Sequence, residues 1–581
     1  MKKIFKTLLL LSTVTAGTGI FISCSDDDNL TKADALFRPI INASDNIETG
    51  LDANNVPYMV ITWDNYTDAD QYTVKVEPVD ASVSPKEITT SELTCRFDNL
   101  EYDKEYFVYI SSANTKSGLS SKPYSLTTTT PDFPTKLTTP ASTDLIDTQA
   151  RIKWGNVDYT QLKVYKDSND SLVADTVLTE SILAAKEIIF KGLTQKTSYR
   201  VEAYLNGAYQ GKKRFTTAAA EKYDGVVIDL RGNADGASYI TTDQLAADVA
   251  ANPDQDITYV LEGGTTYKIS GGTQIPGTTK TVKFVTGLTL SDNAIFRSGG
   301  GMGIVSGQDV FGIAYEKIDF ISDKAMPGGG YEVETNHDQG WGGRQVFNIN
   351  GVGATITNLS FKNCSMTGYR AVVRSQKDGD NINNIVLEDC VINAIGDQGV
   401  LTTTNKKGDW RNVTMKNCTV TNIVMLCDFR SSVQTINFTI ENCTFCYAPK
   451  ETTANANTPM FRMGTGNVAL KVKNTLFGPT MKTENSEGGD IYPNEAGTVG
   501  SVFLSGTLDN LDVENSYKTD FTWIDLNTTG EGDPKIYPLE GLADLPLSES
   551  TLWSNPSQGI FTIIGKASGV DFAKLGDARW K

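Results

Sequence analysis

A seven-residue motif recurs at near-constant spacing through the second half of this chain: Asn358-Leu-Ser-Phe-Lys-Asn-Cys364, Asn384-Ile-Val-Leu-Glu-Asp-Cys390, Asn412-Val-Thr-Met-Lys-Asn-Cys418 and Asn437-Phe-Thr-Ile-Glu-Asn-Cys443. The copies are offset by 26, 28 and 25 residues. At such a period each unit buries its apolar face only by stacking on the next, so a solenoid is expected. A weaker copy runs Leu470-Lys-Val-Lys-Asn474-Thr475, and Ile318-Asp-Phe320 belongs to an earlier one. Apolar residues alternate within each copy, so Leu359 and Phe361, Ile385 and Leu387, Val413 and Met415, and Phe438 and Ile440 should stack inside successive coils. Asn363, Asp389, Asn417, Asn442 and Asn474 should form a side-chain ladder at a turn, satisfying backbone groups that a sharp bend leaves free. Cys364, Cys390, Cys418 and Cys443 then point inward as small apolar core residues. Thiols stacked in register aim the same way, which disfavours disulfides.

With the interior filled, chemistry falls to outward positions of one sheet. After each motif and the next turn come Ala371-Val-Val-Arg374, Gly399-Val-Leu-Thr402, Cys427-Asp-Phe-Arg430 and, beyond an insertion, Pro459-Met-Phe-Arg462. If Val373, Leu401, Phe429 and Phe461 point inward, then Arg374, Thr402, Arg430 and Arg462 share one outward column, with Asp428 beside Arg430. Guanidinium groups stepped at about 4.8 Å per coil could pair with the carboxylates of an acidic polysaccharide, because the planar fork of Arg suits bidentate recognition. The plainer alternative is a solvated ladder that keeps the sheet soluble. Tyr369, Trp341 and Tyr447 are candidates for stacking on sugar faces; Trp341 lies in the loop from Asn336 to Arg344, which also holds the single histidine, His337.

Ahead of the solenoid, residues from Thr31 to about Thr217 read as two small sandwiches. Val60-Ile-Thr-Trp63 and Tyr72-Thr-Val-Lys-Val76 alternate like paired strands, and Leu100 to Ile110 resembles the tyrosine-corner strand of fibronectin type III domains. The second module repeats the plan with Ile152-Lys-Trp154, Leu162 to Tyr165 and Leu193 to Ala203, after a Thr/Pro linker from Thr127 to Pro140. Trp63 and Trp154 are expected in the two cores. Thr242 to Ala251 has helical periodicity with an N-cap candidate and is followed by a strand, a glycine turn and a strand. This resembles the start of pectate-lyase-like β-helices, where a short helix covers the first coil and its unpaired edge. The expected fold is all-β: two fibronectin type III-like sandwiches followed by a right-handed parallel β-helix. The divisions are 1–23, 24–34, 35–130, 131–218, 222–545 and 546–581, the last packing on the β-helix.

The N-terminus bears on location. Lys2, Lys3 and Lys6 precede an apolar run from Thr7 to Ser23 that is short for a bilayer span and reads as a signal peptide. Phe21-Ile-Ser-Cys24 resembles a lipobox, with Phe21 in place of the usual Leu, and the acidic Ser25 to Asn29 resembles the tag of Bacteroidota surface lipoproteins. Cys24 would then carry the lipid, and residues 24–34 would tether the protein to the outer face of the outer membrane. The formal net charge of −18 argues against nucleic acid as a partner. Cysteine spacing supports no zinc site, since only Cys443 and Cys446 are spaced as half of one. The closing stretch, Leu552 to Ile564 and Gly576 to Trp580, resembles the end of β-helix lipoproteins of polysaccharide-utilisation systems.

That resemblance implies a surface glycan-binding protein working beside outer-membrane glycan-uptake proteins, on an acidic, uronate-rich, pectin-like polysaccharide. Two alternatives remain. One is a polysaccharide lyase on the same face, with Arg374, Arg430 or Arg462 as base and calcium as cofactor. Only Asp428 is an evident acidic neighbour for such a metal, and the catalytic aspartate groups of polygalacturonases and esterases are not apparent. The other alternative is a surface adhesin or structural protein that binds another protein.

Overall fold

The computed structural model describes residues 35–233, 235–270, 272–298, 300–322, 345–350, 353–403, 408–430, 434–449, 459–479, 481–483, 491–493, 504–519, 536–537 and 539–581. Cys24 and the loop carrying Trp341 and His337 lie outside them. The chain forms two compact units dividing near residue 135, with residues 208–212 grouped with the first. Among the described residues no helix is long and apolar enough to cross a membrane.

The first unit holds a fibronectin type III-like sandwich. One sheet comprises Ile47–Leu51, Pro57–Thr62 and Thr94–Phe97; the other comprises Lys86–Thr90, Gln71–Pro78, Glu105–Ala113 and Tyr124–Thr129, all antiparallel. Trp63, Tyr72, Val74 and Ile110 fill the space between them. The tyrosine corner is present: the Glu101 N–H donates to the Tyr106 hydroxyl at 3.0 Å. The second sandwich, at the start of the second unit, repeats it with Thr194 N–H donating to Tyr199 at 2.8 Å, over a core containing Trp154.

The rest of the second unit is a parallel β-solenoid of about eight turns. Among the described residues its first sheet has ten strands and includes Thr355–Lys362, Asn381–Glu388, Asp409–Lys416, Ile436–Glu441 and Val468–Lys473. Its second, also ten-stranded, includes Ser365–Thr367, Val391–Asn393, Thr419–Thr421 and Thr444–Cys446. The third has seven strands and includes Gln345–Ile349, Ala371–Ser375, Gly399–Thr402, Cys427–Asp428 and Phe461–Thr465.

The motif explains the corner between the first two sheets. Asn363, Asp389, Asn417, Asn442, Asn474 and Asn515 all sit at φ between 45° and 55°. A single left-handed residue makes the bend, and Asn or Asp tolerates that conformation best among residues with a side chain. Each turn N–H still reaches the coil above: Asn363 to Glu388, Asp389 to Lys416 and Asn417 to Glu441, at 2.9 to 3.0 Å. The expected side-chain ladder at this corner is partial, with Asn417 donating to Asp389 at 2.9 Å and Asn515 to Asn474 at 2.7 Å. A fuller amide ladder runs at the motif's first position, where Asn384, Asn412 and Asn437 each donate to the preceding coil's Asn at 3.0 to 3.1 Å.

The four cysteines point inward and are free, but they are more than apolar filler. Each thiol donates to the carbonyl two residues earlier, at 3.2 to 3.3 Å. Further along, Thr475 and Ser516 occupy the same position and make the same bond at 2.9 Å. That carbonyl also accepts the corner N–H of the preceding coil, so the small side chain with a donor supplies its second hydrogen bond.

Inside, Tyr259, Phe284, Tyr315 and Phe361 stack at 5.0, 5.5 and 5.0 Å, and Leu387, Met415, Ile440 and Val472 continue the column. Outside, the last position of the seven first-sheet strands from Val310–Glu316 onward reads Glu316, Lys362, Glu388, Lys416, Glu441, Lys473, Glu514. Strict alternation puts opposite charges on every rung. The helix Thr242–Ala251 covers the first coil with Leu245 and Val249, and Asp248 receives the Tyr259 hydroxyl at 2.8 Å and the Gln244 amide at 2.9 Å. The second sandwich is fastened to the first coils by Arg231 on Asp147 at 2.9 Å, Gln149 on Glu262 at 2.9 Å and Arg151 on the Leu290 carbonyl at 2.6 Å. Residues after 546 lie on the outer face of the second sheet: Thr419 donates to Asp577 at 2.7 Å, and Asp577 N–H donates to Thr444 at 3.0 Å.

If the left-handed corner governs stability, Asn442→Val should lower the urea midpoint by about 1–2 kcal/mol of stability, whereas Asn442→Gly should stay within a few tenths of a kcal/mol of the parent. Equal losses in both variants would show that the side chain, not the backbone conformation, matters there.

Candidate functional site

The outer face of the third sheet carries the candidate residues, and strand register fixes which of them share a column. Asn348 pairs with Arg374, Arg374 with Thr402, Thr402 with Asp428, Asp428 with Arg462 and Arg462 with Ser505. The member from the fourth coil is therefore Asp428, not Arg430. Cys427, rather than Phe429, stands in register with the inward Leu401 and Phe461, so the strand sits two residues earlier than its arginine suggested.

Arg430 leaves the column but stays beside it. Its Nε and Nη2 grip Asp428 at 3.0 and 2.8 Å, a two-point fork. Arg462 approaches the same carboxylate with Nη1 at 3.5 Å. The Asp428 side chain is 2% exposed, that of Arg430 48% and that of Arg462 25%. Thr402 is fully buried and offers nothing to a ligand.

The next arginine group was not visible from the repeat. Arg370, just before the strand Ala371–Ser375, forks onto Asp397 of the following coil at 2.7 and 2.8 Å. Pairing positions one coil apart would have exposed that contact. Arg374 lies close by and is half-buried; its Nε meets no hydrogen-bond partner among the described residues, and neither does the adjacent Asn348 Oδ1. Asn348 does spend its amide nitrogen, on Gln376 at 3.0 Å.

Charge follows from these contacts. The carboxylates hold Arg430 and Arg370 above the ordinary guanidinium value, chiefly through their hydrogen bonds to Asp428 and Asp397. Arg374 and Arg462 move the other way: burial is the largest cause in each and the neighbouring Arg370 or Arg430 adds to it, outweighing the opposite pull of Asp397 or Asp428. Arg430 and Arg462 thus share Asp428, while Arg374 stands beside the Arg370–Asp397 pair and feels both its charges; each group of two arginines and one aspartate has one positive charge in excess.

Two aromatic candidates are withdrawn from the surface. Tyr369 is fully buried in the solenoid core, with its hydroxyl on the Ile321 carbonyl at 2.8 Å. Tyr447 is 3% exposed, packed among Leu476, Leu552 and Trp553 with its hydroxyl on Glu549. Both are amphipathic rings that serve as core residues with a satisfied polar tip, so neither can stack on a sugar. Among the described residues no group of three or more His, Cys, Asp or Glu is placed to hold a metal ion, and Asp428 and Asp397 are both taken by arginines. A cleft of about 670 Å³ lies beside the second sandwich, but its Arg231 is paired with Asp229 and its Lys191 with Glu262.

No known protein family matches the chain, and no curated protein matches it significantly. Similar solved structures include a two-domain fibronectin type III segment of chicken tenascin, 12% identical, covering 32% of this chain and 100% of that one with a TM-score of 0.17. Others are the FN1–FN3 domains of chicken CNTN1 (13% identical, 30% and 66% covered, TM-score 0.13) and a fibronectin type III domain of the human collagen α-1(XX) chain (16% identical, 18% and 92% covered, TM-score 0.13).

On the same coil as Arg374, Asp380 is fully buried; Oδ2 accepts the Lys377 N–H at 3.2 Å and Oδ1 meets no partner among the described residues. Burial pushes its carboxyl up to about 6. Since the unfolded value is near 3.9, the folded chain holds this proton more tightly. The stabilisation is complete below that value and is lost as pH rises through about 6. Asp380→Asn should therefore melt with the parent near pH 4 and above it at pH 7.5, by up to roughly 2–3 kcal/mol of stability. A difference that does not grow with pH would show that the carboxyl ionises freely.

Proposed function

We propose that this chain is a cell-surface lipoprotein, anchored through Cys24, that binds an acidic polysaccharide along the third sheet of its solenoid. The observation carrying the proposal is Arg374: a half-buried guanidinium whose Nε meets no hydrogen-bond partner among the described residues, in one column with Arg462, which shares its aspartate with Arg430. Placing such a cation out of water costs energy that an internal carboxylate would ordinarily offset. A chain with a formal net charge of −18 has carboxylates in plenty, and keeping two arginines short of them suits a site completed by a ligand's own anion. The outer-membrane location and the partnership with glycan-uptake proteins belong to the same proposal, as does the spacer role of the sandwiches.

A lyase acting on the same face has one observation in its favour. Burial and Arg370 both lower the pKa of Arg374, which is the direction a proton-abstracting base requires. One experiment separates the readings. The protein would be run through native gels containing polygalacturonate, other acidic polysaccharides or neutral ones, with and without calcium, while absorbance of unsaturated uronate ends is followed. Binding predicts retardation by acidic chains without new absorbance, weakened by salt and by about tenfold in Arg374→Gln. Calcium-dependent absorbance that vanishes in Arg374→Gln would establish the lyase, and the absence of both signals with every acidic chain would remove the glycan reading.

A further inference from the structure

The two arginine groups on the third sheet are built alike. In each, one arginine forks onto the single aspartate, Arg370 onto Asp397 and Arg430 onto Asp428, and a second is left half-buried and short of charge. The two left over, Arg374 and Arg462, stand in the same register column, with Thr402 and Asp428 between them. Three steps of the parallel stack separate them, about 14 Å at about 4.8 Å per step. The intervening rungs offer no uncompensated cation: Thr402 is uncharged and buried, and the charge of Arg430 is taken up by the buried Asp428.

We infer that the third sheet carries two anion subsites, Arg374 and Arg462, and that its ligand is an extended glycan whose carboxylates recur at that span, not on every sugar. This rests on the third sheet being the glycan face and adds a rule of selection to it. An extended glycan lying across the strands advances by a length of the same order as the coil step for each sugar. Carboxylates three sugars apart would then meet both arginines together. A carboxylate on each sugar would add one over Asp428, which is buried and already held by Arg430, and one over the buried Thr402, and neither rung offers it a cation left free. Engaging both subsites at once makes the second contact intramolecular, so the correct spacing gains more than either charge does alone.

The test uses the full chain and octagalacturonides bearing a fluorophore at the reducing end. All carboxyls are methyl-esterified except one, or except two placed two, three or four sugars apart, and binding is read by anisotropy. The expected result is tightest binding at a spacing of three, by about tenfold over the other spacings. Arg374→Gln and Arg462→Gln should each reduce that oligomer to the affinity of the single-carboxylate one, while Arg374→Lys, which keeps the charge, should retain the preference. Melting temperatures report whether the variants are folded. An optimum at another spacing, or none, with affinity still falling in both Gln variants, would overturn the two-subsite inference and leave the glycan face standing. No binding by any oligomer, in parent and variants alike, would remove both.

Discussion

The solenoid depends on a one-residue corner. At six successive passages from the first sheet to the second, Asn363 to Asn515, a single Asn or Asp takes the left-handed conformation, and the N–H of the first five nonetheless bonds to the coil above. The inter-coil ladder therefore runs unbroken around the bend, and every coil repeats the geometry of its neighbour. Because the corner is one residue wide and chemically demanding, it leaves little room for slippage: moving the asparagine by one place would force another side chain into a backbone region that costs it roughly 1–2 kcal/mol and would turn the alternating apolar residues outward. The inward thiol or hydroxyl beside the corner adds a second hydrogen bond to the carbonyl that already accepts the preceding coil's corner N–H.

Stacking in register has an electrostatic consequence. Parallel coils place equivalent side chains about 4.8 Å apart, so a charge repeated from coil to coil would face its own kind along the whole length. The first sheet meets this with alternation from Glu316 to Glu514, and the Asn358 to Asn437 column avoids charge altogether by chaining amides. The third sheet does neither. Its arginines are shared unequally with Asp397 and Asp428, and positive charge is left over twice. That imbalance, on a face built by the same stacking of coils, sets the described part of the third sheet apart from the first.

Much of this architecture was legible in the sequence, because it rests on local rules. The motif carries its own period, its alternation and its corner residue, and the tyrosine-corner strands of the sandwiches announce themselves through Tyr106 and Tyr199. What escaped depended on contacts between coils. Arg430 looked equivalent to Arg374 and Arg462 because all three follow an apolar residue, but Cys427 serves as an inward residue as well as Phe429 does, and only pairing decides between them. Tyr369 and Tyr447 read as exposed aromatics because nothing local shows that the Ile321 carbonyl and Glu549 wait for their hydroxyls. The Arg370–Asp397 fork joins residues one coil apart. The Arg151 contact that holds the second sandwich to the solenoid through the Leu290 carbonyl spans two modules, and no local pattern announces it.

The alternating column of the first sheet also bears on how such a chain can change in length. Excising one coil from its middle would bring glutamate against glutamate or lysine against lysine at the new junction, whereas excising two would restore every opposite pair. Seen from that edge, the structural quantum of this solenoid is the pair of coils, and gene rearrangements that add or remove turns in twos meet no electrostatic seam.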